Sequence, residues 1–541
     1  MTLLVTSILA ESVSDLAARA ERAWAGGADA VEVRMDALDG DPGILAEYLK
    51  AHKDRTWIVT CRSAEEGGCF RGDTMERVSR LIAAARETGA YVDFELADWR
   101  RSDNIRQKVG LAAAATDGQS RRLILSSHDF ERRSENLDAI VHEMIDTHQA
   151  VAKVAYSGAH MVDSFAALDL MREHGSSVIA ICMGEEGLWT RVLAKKFNAF
   201  ASFCTLAAEE ATAPGQTTLG EMIGAYRWKN IDRSTRVYGV LGDPIAHSIS
   251  PFLFNRWFAD AGINAVYLPM RVGANGDGLA RFLDGCMKRP WLDVGGFSVT
   301  IPHKVAARAW VGDGADSLSQ RIGAINTLVF QGDRPTGYNT DCYAAITSMC
   351  NALRCDRSDL AGLPVDVLGS GGAARAVVEG LRDFGCRVTV YGRSPQRTKP
   401  FADECGATAA AHCVGADTPP STQEGSNPSP HKPTLSAAAW EDRGRRRGEV
   451  LVNCTPVGMW PGVNESPMPA DSLGGCRLVF DLIYRPLQTQ LLHDATTAGC
   501  AALNGLDMFV RQAAMQFELW TGRTPDLQQA RDLVTRGILS P

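Results

Sequence analysis

Lys153 stands inside the apolar run V-A-K-V-A-Y, and His128 closes an earlier one, L-I-L-S-S-H-D. A lysine held in apolar surroundings beside arginines suits carbonyl chemistry by Schiff base. Burial and neighbouring cations disfavour the ammonium and expose a nucleophilic amine, while nearby carboxylates oppose that shift. A histidine that reaches the same substrate can move a proton, because its ordinary pKa lies near the working pH. Taken alone, a lysine in a strand is more often a snorkelling side chain. Later in the chain, the strand-like V-D-V-L runs into G-S-G-G-A-A at 369–374, a turn whose glycines let the main chain approach a pyrophosphate at a helix N-terminus. Ala374 takes the place of the third glycine, so this turn by itself is a weak signal.

The elements that must position these groups follow from the apolar runs. Strands are expected near 3–8, 29–35, 56–61, 91–96, 122–127, 151–156, 177–182 and 199–204, each followed by enough chain for a crossover helix. Eight such β/α units predict a closed parallel barrel, whose active site forms at the carboxyl ends of the strands. Polar residues gather at those ends: Glu32 and Arg34, Arg62, Glu95, His128, Lys153, Arg191 and Gln216. That position turns Lys153 from a snorkelling side chain into a candidate nucleophile.

Within about residues 1–227 the chain closely resembles the type I 3-dehydroquinate dehydratases. The resemblance rests on E-V-R-M-D from Glu32, S-S-H-D-F around His128, Lys153, and A-P-G-Q at 213–216. It implies that Lys153 forms an imine with the substrate ketone, and that His128 removes the C2 proton and returns a proton to the leaving hydroxyl, assisted by Glu95. It further implies that Glu32, Arg34 and Arg62 hold hydroxyls and organise the site, while Arg191 and Gln216 engage the carboxylate. Thr212 stands where the family usually has serine; its hydroxyl is kept, which predicts adjusted binding rather than loss.

A polar connection, 225–236, precedes a new strand at Val237–Leu241, so a domain boundary belongs there. Over about 237–535 the chain resembles the shikimate dehydrogenases. The motifs are G-D-P-I-A-H-S-I-S-P-F from Gly242, F-S-V-T-I-P-H-K ending at Lys304, I-G-A-I-N-T at 322–327, G-Y-N-T-D ending at Asp341, N-C-T-P-V-G-M at 453–459, F-D-L-I-Y-R-P-L-Q-T from Phe480, and N-G-L-D-M-F-V-R-Q ending at Gln512. Lys304 and Asp341, which singly would read as a salt bridge, become by this likeness the proton-transfer pair. Ser248, Ser250, Thr300, Asn326, Tyr484 and Gln512 would bind the substrate carboxylate and hydroxyls. Thr455, Met459, Gly505 and Met508 would border the nicotinamide, and Gly369, Ser370, Gly371, Gly372 and Ala373 would cradle the phosphates. The next strand, R-V-T-V-Y-G-R-S, ends without an acidic residue for the ribose of NAD; Arg393, Ser394 and Arg397 suit a 2′-phosphate, so NADP(H) is the expected cofactor. Phe254, Gly392 and Ala344 depart from the residues usual in the family.

The fold expected is therefore α/β: a (β/α)8 barrel over 1–227, an α/β substrate domain over 237–341 completed by C-terminal helices 508–535, and a Rossmann domain over 342–507. A Pro/Ser/Gly-rich insertion, 414–447, is expected to be a mobile loop whose R-G-R-R-R cluster is solvated. An apolar content of 45%, a charged content of 22% and a net charge of −8 describe an ordinary globular chain and speak against a general nucleic-acid binder. No apolar run approaches the ~20 residues that span a bilayer, and M-T-L-L-V-T-S-I-L-A reads as the first barrel strand rather than a targeting segment. The 14 cysteines lack paired C-x-x-C spacing, so no metal site is expected, and they fit a reducing cytoplasm. The partners expected are the small molecules 3-dehydroquinate and 3-dehydroshikimate, with no nucleic acid or membrane, in a monomer or homodimer. Because the product of the first reaction is the substrate of the second, the two resemblances together imply a bifunctional shikimate-pathway enzyme. The alternatives weighed are a quinate-preferring dehydrogenase half and a ligand-sensing regulator that has lost catalysis; retention of Lys153, His128, Lys304 and Asp341 speaks against the second.

Overall fold

The computed structural model describes all residues except 115–121, 148–149, 246–247, 274–275, 332–333, 394–433 and 540–541. Eight parallel strands form the first sheet: β1 (Leu3–Ile8), β2 (Ala30–Arg34), β3 (Thr56–Thr60), β4 (Tyr91–Glu95), β5 (Leu123–Asp129), β6 (Val151–Ser157), β7 (Val178–Met183) and β8 (Ala201–Cys204). Their order runs β7-β6-β5-β4-β3-β2-β1-β8. The Phe200 N–H donates to Val178 O at 2.9 Å just before β8, drawing the two ends into a nearly closed barrel. All eight expected strands are present, displaced by no more than two residues at either end.

The strands are apolar on both faces because helices cover the outside and side chains fill the inside. Val5, Ile58, Ile124, Ile179, Ile181 and Phe203 pack within the barrel, each worth about 1.5–3 kcal/mol of burial. The covering helices start where short polar side chains satisfy the first free N–H groups. Ser12 Oγ accepts from Asp15 N at 3.2 Å before the helix Val13–Ala25, and Asp73 Oδ1 accepts from Glu76 N at 2.8 Å before Thr74–Ala85. Register places Ser126 beside both Glu95 and Lys153, so polar groups of β4, β5 and β6 meet at one level.

The chain divides into two compact units, Met1–Val294 and Gly295–Pro541. In the first, the expected connection at 225–236 is pinned to the barrel. Buried Lys196 donates to Arg233 O, Thr235 O and Asp293 Oδ2 at 3.0, 2.8 and 2.7 Å. Beyond it β9 (Arg236–Gly242) and β10 (Ala265–Arg271) pair in parallel. Phe282 stacks on Phe165 of a barrel helix, with centroids 5.6 Å apart. Phe254 is fully buried and stacks on Tyr267 at 4.4 Å, so this departure from the family pattern serves the core.

In the second unit β12 (Thr327–Val329) pairs antiparallel with both β11 (Val294–Val299) and β13 (Thr336–Tyr338). The C-terminal helix Leu506–Thr521 locks onto them: Gln516 Nε2 donates to Asn326 O at 2.9 Å and Trp520 Nε1 to Leu328 O at 3.0 Å. A six-stranded parallel sheet has the doubly wound order β16-β15-β14-β17-β18-β19. Its strands are β14 (Pro364–Leu368), β15 (Arg387–Gly392), β16 (Thr434–Ala439), β17 (Val450–Asn453), β18 (Leu478–Asp481) and β19 (Ala501–Leu503).

The end of the expected mobile loop is ordered instead. Residues 434–439 form edge strand β16 along β15, and Trp440–Arg445 makes a 3-10 turn. Composition hid this because backbone pairing to a preformed edge needs little apolar side-chain burial. The arginine cluster is also not simply solvated: Arg443 Nε donates to Pro467 O at 2.7 Å, and Arg446 donates to Gly448 O and Leu473 O at 2.7 and 3.2 Å. Residues 414–433 lie outside the described residues.

Candidate active site

At the carboxyl ends of the barrel strands lies a cavity open to solvent and lined by Glu32, Arg34, Arg62, Glu66, His128, Lys153, Arg191, Thr212 and Gln216. Lys153, 5% exposed on β6, donates from Nζ to Asp93 Oδ2 at 2.7 Å and Glu32 Oε1 at 3.4 Å, and stands 4.2 Å from the Phe203 ring centre. Asp93 also takes Arg62 Nη2 at 2.7 Å and Ser126 Oγ at 2.6 Å. Burial would raise Asp93, but Arg62 and Lys153 outweigh it and hold the carboxyl well below the usual range. Glu32 is likewise lowered: burial opposes ionisation, and Lys153 overcomes it. Thus the lysine sits above an ionised floor braced by arginine.

His128 lies on β5 with Nδ1 2.9 Å from Glu66 Oε2, which also accepts the His128 main-chain N–H at 3.1 Å. With Nδ1–H assigned as the donor to that oxygen, Nε2 keeps its lone pair for a substrate proton. Burial, reinforced by Arg62 and Lys153, pushes His128 well below its usual value, so it stays neutral. Burial pushes Glu66 up to about 8; Arg62 opposes, while Glu95 and Asp93 add to the rise.

The partner of His128 is therefore Glu66 and not Glu95. Glu95 does not line the cavity; it accepts from Ser63 N and Ser63 Oγ, each at 2.8 Å, and pairs with Arg77 at 2.6 Å. Position at a strand end suggested a substrate-facing carboxylate, but the structure gives Glu95 the task of fixing the loop that carries Glu66. Asp93 was also missed, although it shares a strand face with Glu95 two residues on. Glu66 sits in the loop A-E-E-G-G, where no periodicity marks it.

Arg34 is held by Asp36 through two bonds of 2.9 and 2.7 Å. Arg191 differs. It is 2% exposed, makes one 3.4 Å bond to Phe203 O, and its Nε has no hydrogen-bond partner among the described residues. Burial without an acid beside it lowers the guanidinium to about 10. Gln216 Oε1 accepts from Thr212 N and Thr212 Oγ1 at 2.7 and 3.0 Å, so the loop between them is one folded piece. Gly215 within it has φ +67°, and a Cβ there would stand 2.2 Å from Gly184 O. The cavity thus combines an amine, an imidazole and an uncompensated cation.

A second constellation lies in the other unit. Lys304 Nζ donates to Asp341 Oδ2 at 2.5 Å, and Asn326 Nδ2 donates to Asp341 Oδ1 at 2.9 Å and to Gln512 Oε1 at 3.3 Å. Tyr484 stacks on Phe509 at 4.5 Å, and burial pushes its phenol up to about 12. Thr300 and Met508 are part of this unit, as are Thr455, whose hydroxyl donates to Asn453 Oδ1 at 2.7 Å, and exposed Met459. Gly505 has no room for a side chain, since a Cβ would meet Leu482 O at 2.0 Å.

The 12-residue helix Gly372–Asp383 begins at the glycine turn after β14. Gly369 has φ +106°, and a Cβ on Gly371 would point into open space, as a main chain meant to approach a phosphate requires. Gly372 lies against Lys304, where a Cβ would stand 2.9 Å from its Cβ. Ser370 and Ala373 complete the turn, and exposed Arg393 follows β15; these residues fit a dinucleotide. Ser394 and Arg397 lie outside the described residues. Ser248 and Ser250 belong to the first unit, where Ser250 N donates to Ser248 Oγ at 3.4 Å.

Residues 4–233 match the type I 3-dehydroquinase family, 240–328 the shikimate dehydrogenase substrate binding domain, and 505–535 the shikimate 5′-dehydrogenase C-terminal domain. The bifunctional 3-dehydroquinate dehydratase/shikimate dehydrogenase, chloroplastic, of Arabidopsis thaliana is 32% identical over 539 residues, covering 96% of this chain and 82% of the relative. A shikimate dehydrogenase (NADP(+)) of Bacillus cereus strain AH187 is 34% identical over 305 residues, 56% of this chain and 99% of its own. A solved shikimate 5-dehydrogenase of Thermus thermophilus in complex with NADP(H) and shikimate shares 31% identity, covering 56% of this chain and 99% of that one, with a TM-score of 0.45. The Bacillus relative is thus an NADP(+)-dependent shikimate dehydrogenase by name. The chain belongs to the bifunctional family in which a type I 3-dehydroquinate dehydratase is fused to a shikimate dehydrogenase, and its barrel and its second α/β module correspond to those two activities.

Proposed function

We propose that Lys153 is the imine-forming residue of the dehydratase and His128 its acid and base. Lys153 Nζ, once deprotonated, attacks the ketone carbon of 3-dehydroquinate, and loss of water leaves the imine. His128 Nε2 takes the C2 proton, the electron pair moves into the imine, and the resulting enamine expels the neighbouring hydroxyl as His128 returns the proton to it. Hydrolysis then frees 3-dehydroshikimate. Glu66 holds the His128 ring through Nδ1, while Glu32, Asp93, Arg34 and Arg62 organise the site, with Glu32 and the arginines binding substrate hydroxyls. Arg191, with Gln216 and Thr212, takes the carboxylate. The observation that carries this reading is the pairing, in one cavity, of Lys153 with a buried Arg191 that has no acidic partner among the described residues.

For the second reaction, bound NADPH would supply the hydride to the carbonyl carbon. Lys304 delivers the proton to the oxygen, and Asp341, 2.5 Å away, orients the ammonium. Asn326, Gln512, Thr300 and Tyr484, with Ser248 and Ser250 by their motif, hold the substrate carboxylate and hydroxyls. Residues 369–373 would hold the phosphates, Arg393, Ser394 and Arg397 the 2′-phosphate, and Thr455, Met459, Gly505 and Met508 the nicotinamide; no metal is assigned to either reaction. The functional domains proposed are 1–227, 237–341 with 508–535, and 342–507. A reducing cytoplasm is the proposed location, on the unpaired spacing of the cysteines in the sequence; no helix among the described residues is long and apolar enough to cross a membrane.

The test is turnover of 3-dehydroquinate with NADPH, following enone absorbance and NADPH loss. Lys153→Ala should abolish both signals, and Lys304→Ala should let enone accumulate without NADPH loss. Enone formation by folded Lys153→Ala at the wild-type rate would overturn the assignment. Comparison of NADPH with NADH in Arg393→Ala tests the cofactor reading.

A further inference from the structure

His142 lies within the barrel helix Leu137–Asp146, and Glu173 and His174 end the helix Phe165–His174. One ligand atom from each of the three falls within 4.8 Å of the others. The imidazoles stand nearly perpendicular, centroids 5.1 Å apart. His174 Nε2 is buried with no hydrogen-bond partner among the described residues. A buried imidazole nitrogen without a partner normally costs stability, so it calls for an occupant.

From this constellation we propose a binding site for a borderline divalent cation of the Zn²⁺ class on the outside of the barrel. Two imidazole nitrogens and one carboxylate are the donors such ions prefer, whereas Mg²⁺ and Ca²⁺ seek oxygen. Bonds of about 2.0–2.2 Å to one ion suit donor atoms that already lie within 4.8 Å of one another. His142 and Glu173 are exposed and can turn to perfect the geometry, and water would complete a tetrahedron. His174 is followed by the Gly175–Ser177 turn and then by the start of β7, so the site lies at the amino ends of the strands, opposite the catalytic mouth. An ion there joins the two helices that flank β6 and takes no part in dehydration. Cysteine spacing could not reveal it, because the ligands come from two helices about 30 residues apart in the chain.

The test uses the full chain, stripped with a chelator and dialysed against Zn²⁺, with Co²⁺ as a spectroscopic probe. One equivalent bound, a visible Co²⁺ band, and affinity at least about tenfold weaker in His142→Ala and in His174→Ala are expected, with the dehydratase rate unchanged. Zn²⁺ should raise the thermal midpoint of wild type and not of either variant. His142 is exposed on a helix, so its alanine variant keeps the test decisive if His174→Ala fails to fold. Absence of bound Zn²⁺ in wild type, or wild-type stoichiometry and affinity in His142→Ala, would overturn the site.

Discussion

Replacing Arg191 with methionine should make the barrel more stable and the dehydratase far worse. Arg191 is 2% exposed, and its Nε lacks a partner among the described residues. Lowering the guanidinium from 12.5 to about 10 corresponds to about 3 kcal/mol against the charged form. Methionine fills a similar unbranched volume without that charge, and gives up only the 3.4 Å bond to Phe203 O, worth about 1 kcal/mol. The ligand-free protein should therefore gain about 1–3 kcal/mol, read as a higher urea midpoint of the barrel transition. Losing a desolvated partner of the substrate carboxylate should cost about 2–5 kcal/mol, roughly 30-fold to several thousandfold in kcat/KM for enone formation. Added 3-dehydroshikimate should raise the urea midpoint of the barrel transition in wild type and leave that transition unmoved in the variant. A destabilised variant with unchanged kcat/KM would refute the reasoning, because Arg191 would then be a structural cation.

Three further outcomes are expected. Glu66, raised by burial from 4.5 to about 8, is held neutral by the fold; its stabilising contribution is full below about pH 4.5 and is lost as pH rises through about 8. Glu66→Gln should flatten that part of the pH–stability curve, measured by urea titration from pH 5 to 9. Glu95→Gln should act mainly on stability, by about 3 kcal/mol, because it weakens the hold on buried Arg77; equal loss of kcat in the folded Glu95 variant would contradict the reassignment to Glu66. Gly215→Ala combines φ +67° with a Cβ 2.2 Å from Gly184 O, so about 1–3 kcal/mol of strain should fall on the Thr212–Gln216 loop. KM for 3-dehydroquinate should rise while reduction of added 3-dehydroshikimate by NADPH is unchanged.

The eight barrel strands were legible in the sequence because strands buried on both faces read as uninterrupted apolar runs, and a polar residue at the end of such a run stands out. Lys153, His128, Arg34, Arg62 and Arg191 were found that way, and Lys304 with Asp341 through ordered motifs. The glycine turn at 369–372 was legible because only glycine tolerates φ +106° and an open main chain there. Tertiary structure alone decided which carboxylate serves His128: Glu66 and Glu95 are both near the mouth in the chain, and only the folding of loop 63–70 aims the first at Nδ1 and ties the second to Ser63 and Arg77. It also decided that 434–439 form an edge strand, that the 225–236 connection is pinned by Lys196, and that His142, Glu173 and His174 meet. Local pattern records how each residue suits its own strand or helix, whereas these contacts join segments about 20 to 100 residues apart and exist only once the unit that holds them has folded.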